Sequence, residues 1–168
     1  MIPNFLVLFL ASLIPFLFAY IYFHPKVFGG ERWFKMANMN EPHLRTPVKP
    51  IKLILSMVLN FLLAIGLYNM CVHPAHVFGM VGGDTTAFQT ETVRAFMDLY
   101  ATNHVTFGHG MLHGLLPSFL TFVLPVLGYV VIFEKKSTKY FLVYSAYWII
   151  SLVLMGGVIS QWGWKLIY

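Results

Sequence analysis

Four stretches of this chain, roughly Asn4 to Phe23, Ile51 to Val72, Met111 to Phe133 and Tyr140 to Trp164, carry no Asp, Glu, Lys or Arg in their middle. Each is near the length of about 20 residues at which an apolar helix crosses some 30 Å of hydrocarbon. Of the 168 residues, 58% are hydrophobic and 10% charged, and the mean hydropathy is +0.72, far from the balance of a soluble domain. The expected fold is therefore all-α: an integral membrane four-helix bundle, one domain over residues 1–168, with a short interfacial amphipathic helix in an outer loop.

The first stretch reads as a retained span and not as a secretory signal. No basic residues precede it, no small-residue cleavage pattern follows, and it continues into the aromatic and basic YIYFHPK. Orientation follows from the cations. Lys26, Arg32, Lys35, Arg45, Lys49 and Lys52 lie in or beside the first loop, and Lys135, Lys136 and Lys139 in the third. Only Arg94 and Lys165 fall on the other side, so the positive-inside tendency puts loops one and three in the cytoplasm and both termini outside, in a multi-pass protein of the bacterial inner membrane. The formal charge of +5 is explained by anchoring at anionic headgroups, and no nucleic-acid motif accompanies it, so nucleic acid is excluded as a partner.

Loop one is broken by Pro25, Pro42, Pro47 and Pro50, with a short segment around Glu31 to Met39 able to lie at the interface. Phe28, Trp33 and Phe34 alternate with Lys26, Arg32 and Lys35, the composition of a headgroup collar. In loop two, Asp84, Thr85 or Thr86 can cap a helix with Phe88, Thr92, Phe96 and Leu99 on one side and Glu91, Arg94 and Asp98 on another. Such a helix lies on the outer membrane surface.

Within the spans, Pro117 and Pro125 deprive the carbonyls of His113 and Thr121 of their usual partners, as Pro15 does for Ala11, and kinks are expected there. Gly110 with Gly114, and Gly156 with Gly157, permit close backbone approach, either within the bundle or between copies in a homo-oligomer or with another membrane protein. Ser12, Ser56, Asn60, Ser118, Thr121, Ser145, Ser151 and Gln161 suit interhelical hydrogen bonds. None is ionised in the way that marks a proton relay or ion-coupled pathway, which disfavours a secondary transporter. Cys71 stands alone, so no disulfide forms within the chain.

The histidines carry the chemistry. His24 and His43 belong to loop one, but His73, His76, His104, His109 and His113 all fall at the outer ends of spans two and three. In FGHGMLHG, His109 and His113 are four apart and leave one face of a helix, the spacing with which two imidazoles chelate one metal ion. An antiparallel hairpin of spans two and three brings His73 and His76 to the same depth, with Asp84, Glu91 or Asp98 as carboxylate candidates. Three readings stand side by side: histidines with a structural role, which weigh most on sequence alone, a bound zinc or other transition metal, and non-covalent haem b, since no CxxCH is present. No GxSxG, HExxH or phosphate-cradling glycine loop occurs, so an enzyme is not indicated.

Two further stretches carry a resemblance. NFLVLFLASLIPFLFAYIYFHPKVFGGERW, with Tyr22, Pro25, Phe28, Gly29 and Trp33 in order, resembles the opening of the bacterial membrane family catalogued as domain of unknown function 1761. FGHGMLHG, the FE-basic turn at Phe133 to Lys136, Tyr147 with Trp148, and MGG before a closing tryptophan resemble its second half. Tyr22 stands where that family more usually has tryptophan. The resemblance implies four transmembrane helices and no assigned activity, and it transfers no catalytic residue.

Overall fold

Long apolar runs interrupted by proline, glycine and charge produce helices broken at those interruptions. The computed structural model describes residues 2–24, 35–36, 48–84, 86–101 and 103–165. Its helices are α1 (Phe5–Tyr22), α2 (Pro50–Cys71), α3 (Ala75–Met80), α4 (Glu91–Tyr100), α5 (Phe107–Ser118), α6 (Leu124–Phe133) and α7 (Thr138–Trp162). A π-helical turn, Phe119–Val123, joins α5 to α6, so that Phe107–Phe133 is one span; α1, α2 and α7 are the other three. Among the described residues these four helices are long and apolar enough to cross a membrane, which makes the protein a multi-pass membrane protein. The headgroup collar and His43 of loop one fall outside the described residues, Lys35 excepted.

Helix α7 is the axis. It packs against α1, α2, α5 and α6, and 44% of its most apolar window is buried against 17% to 28% for the other spans. Small residues make this possible. A Cβ added to Gly110 or Gly114 would collide with the carbonyl oxygens of Gly156 and Leu152, respectively. The two backbones therefore touch, antiparallel, along a glycine stripe that lies inside one chain. Because lipid is as apolar as leucine, van der Waals contact at such stripes, more than hydrophobic burial, holds membrane helices together.

The prolines are accommodated locally. Ser118 Oγ donates to the His113 carbonyl freed by Pro117, at 3.3 Å. Before Pro125 the ladder lengthens by one residue, with Leu124 N–H donating to the Phe119 carbonyl. Ser12 and Thr121 also donate to carbonyls of their own helix, Phe9 and Pro117. These hydroxyls return to their own backbone, a common alternative to crossing between helices.

The crossing bonds come from other residues. At one end Tyr22 Oη donates to the Val143 carbonyl at 2.9 Å and Tyr147 Oη to that of Pro15 at 2.8 Å. At the other, Phe107 N–H donates to Gln161 Oε1 at 2.9 Å. Here also Ile2–Pro3 (β1) and Trp164–Lys165 (β2) pair as a two-residue antiparallel ribbon, and Asn4 N–H donates to the Gly163 carbonyl at 2.8 Å. Lys49, Lys52, Lys135, Lys136 and Lys139 thus share the first end, and the Ile2–Pro3 and Trp164–Lys165 ribbon shares the second with His73, His109 and His113.

Helix α4 differs from expectation. Asp84 does not cap it: its Oδ1 accepts from Thr86 N–H at 2.8 Å and Thr86 Oγ1–H at 2.6 Å, bonds that also hold the carboxyl below the usual carboxylate range. A 3-10 turn, Ala87–Gln89, follows, and the helix begins at Glu91. Its inward face is therefore Val93, Met97 and Ala101, four residues apart, whereas Thr92, Phe96 and Leu99 are exposed. The helix is amphipathic as expected.

Candidate metal centre

The sequence FGHGMLHG interleaves two stripes. Gly110 and Gly114 face α7, and His109 and His113, each one residue earlier, stand about 100° around the same helix. That offset turns the imidazoles toward the end of α2. Helix α5 begins four residues earlier than the apolar run suggested, at Phe107, because Thr106 caps it: Thr106 Oγ1 accepts from His109 N–H at 3.3 Å. Thr106 was not marked as functional from sequence, although a threonine just before a helical histidine pair is an N-cap signal.

His73 arrives from the other side. Helix α2 stops at Cys71, and both Cys71 and Val72 are fully buried, which pins the turn. The Cys71 Sγ lies 3.9 Å from the Gly110 carbonyl. The His73 and Val72 carbonyls accept from His76 and Ala75 N–H at 2.9 and 3.0 Å, starting α3. His73 is exposed as a residue, yet its Nε2 turns into the group.

The result is three convergent nitrogens. His73 Nε2 is 2.9 Å from His113 Nε2, which is 2.9 Å from His109 Nε2. Ligand atoms of His73, His109 and His113 all lie within 4.8 Å of one another. An imidazole Nε2 carries, in its ring plane, either one proton or one lone pair. The central nitrogen of His113 can therefore make one straight N–H···N bond, not two. A cation among the three resolves the mismatch by accepting all three lone pairs. Nitrogens bound at about 2.0–2.1 Å to a tetrahedral ion stand about 3.4 Å apart, a spacing that the two 2.9 Å pairs reach by opening roughly half an ångström.

Electrostatics favours the neutral, ligating form at His73. Shielding by its surroundings, then the proximity of His109, His76 and His104, holds its pKa below the ordinary 6.5. The other two histidines flank the triad: the His104 ring centroid is 5.4 Å from that of His109, and the His76 centroid is 6.3 Å from that of His73. Among the described residues no carboxylate or thiol joins the three nitrogens; Asp84 is engaged by Thr86, and Glu91 and Asp98 are exposed on α4.

The sequence pattern of the family described as "Protein of unknown function (DUF1761)" matches residues 6–160. The chain belongs to that family. In this DUF1761 chain the match runs from α1 nearly to the end of α7 and includes every residue of the histidine group. No curated protein and no solved structure matches the chain.

Proposed function

We propose that this protein is a membrane-embedded metal-binding module that holds one transition-metal ion between His73, His109 and His113. The supporting observation is the convergence of three Nε2 atoms that cannot all satisfy one another by hydrogen bonds. A set of neutral imidazoles without carboxylate suits zinc, copper, nickel or cobalt and not magnesium or calcium. Haem fits less well. A bis-histidine haem needs two facing imidazoles with a porphyrin-wide slot between them, and here a third imidazole occupies that space.

The site belongs to the end of the bundle opposite Lys49, Lys52, Lys135, Lys136 and Lys139. The positive-inside tendency then supports a bacterial inner-membrane protein with its histidine end and both termini outside. Association with a second copy or another membrane protein would use the lipid-facing sides of α1, α2 and α6, since the α5 glycine stripe is covered by α7.

The test is elemental analysis of protein purified in detergent. The wild type is expected to carry about one zinc or related ion per chain, and the His109→Ala/His113→Ala double variant, with two of the three ligands of such a site removed, essentially none. A folded wild type that takes up no transition metal from stoichiometric solutions overturns the reading.

A further inference from the structure

Three imidazoles leave a tetrahedral ion one position short, and what fills that position decides whether the site only stores its ion or can present it to something else. The following rests on the three-histidine reading. Two histidines stand beside the triad, and geometry separates them. Ring centroids within the triad are 4.5, 4.6 and 5.3 Å apart. The His104 ring, 5.4 Å from His109 and tilted by 35°, continues that spacing. His76 is farther out, 6.3 Å from His73, at the start of α3.

Val105, which follows His104, is 5% exposed, and Met97 and Ala101 before it are buried, whereas His104 itself is exposed. Its ring, already beside that of His109, is the part that has to turn toward the triad. Its nitrogens do not lie with the other three in the present arrangement. These facts together describe a neighbour that can join the ion and leave it.

We infer that His104 is a detachable fourth ligand: joined, it closes the ion within four imidazoles; swung out, it opens one position to a small external lone-pair donor such as hydroxide or azide. The ion thereby alternates between a held and an accessible form, with no change in oxidation state and no bond broken except one metal–nitrogen bond.

The test uses the full chain in detergent micelles, loaded with Co2+ and titrated with azide while its visible d–d bands are followed. His104→Ala is expected to keep one Co2+ per chain, to show altered band positions and intensities, and to bind azide about tenfold more tightly, as follows if His104 occupies the position about nine-tenths of the time. His76→Ala is expected to follow the wild type. A His104→Ala protein with unchanged bands and unchanged azide affinity overturns the inference, as does a His76→Ala protein that changes to the same degree. If the wild type binds no Co2+, the three-histidine reading itself falls; if it binds and only the azide comparison is flat, that reading stands and His104 has no part in it.

Discussion

The two ends of this bundle put aromatic and polar rings to opposite uses. At the lysine end, Phe18, Tyr22, Phe23, Tyr144, Tyr147 and Trp148 pack ring against ring, with centroids 4.9 Å apart for Phe23–Tyr147 and 5.8 Å for the stacked Phe18–Tyr147 pair. The hydroxyls of Tyr22 and Tyr147 each donate to a backbone carbonyl of another helix. These two hydroxyls end on the backbone, and the result is a plug that ties α1 to α7. At the histidine end the rings again cluster, but their nitrogens end on one another. A group of polar atoms that satisfies itself through the backbone needs nothing further; three like nitrogens turned toward one another are the arrangement on which the proposed metal site rests.

The strongest way to break this comparison is to separate α5 from α7. In Gly110→Leu the first side-chain carbon already collides with the Gly156 carbonyl, and the contact is backbone on backbone, so neither side can give way. The cost is expected to be about 3 kcal/mol, at the upper end for overpacking. Because His109 and His113 ride on the same two turns, metal content should fall together with thermal stability in detergent. A Gly110→Leu protein of wild-type stability would show that the glycine stripe does not set the position of the histidines.

What could be read from sequence follows from how local each cause is. The four spans were legible because twenty apolar residues have only one way to cross a bilayer, and α1 and α2 end within about a residue of expectation. The start of α5 was not, because Gly108, Gly110 and Gly114 look like a loop until Gln161 and Thr106 hold the first turn. The start of α4 was not legible, because Asp84 is engaged by Thr86 and the helix begins only at Glu91; Met97 and Ala101 then join the core, with Val93 and Phe88 packed against it. The ribbon of Ile2–Pro3 with Trp164–Lys165 has no sequence signal, being two residues on each side. For the site, the spacing of His109 and His113 declared itself. That His73 and not His76 completes the triad depends on where α2 ends, at the buried Cys71 and Val72.

Acid should act on the two ends unequally. Between about pH 8 and pH 5 imidazoles titrate and tyrosine hydroxyls do not. Metal binding needs neutral imidazole. Since the pKa of His73 lies below its ordinary 6.5, the ligating form persists at 6.5 and is lost only as pH falls further. Metal affinity measured by competition with a chelator is therefore expected to be nearly flat above that value and to drop about tenfold or more per pH unit well below it. The metal-free protein should weaken in the same direction, because the unfolded His73 takes a proton at a higher pH than the folded one, so that stability declines as pH falls through 6.5. Affinity that rises on acidification would place the ion on other ligands.

The smallest effect is expected from Tyr147→Phe, and its smallness is informative. The substitution keeps the ring contacts with Phe18, Phe23 and Trp148 and removes only the hydroxyl that donates to the Pro15 carbonyl. Hydrogen bonds between membrane helices contribute about 0.6 kcal/mol on average, so the stability loss should be near that figure. Bound metal should be unchanged, because the aromatic plug and the imidazoles lie toward opposite ends of α7: Gly156 and Gly157 meet α5 near one end, Tyr147 meets α1 nearer the other. Loss of metal in Tyr147→Phe would mean that the tilt of α7, set at the plug, also sets the spacing of the three nitrogens, and the two ends would then be parts of one device.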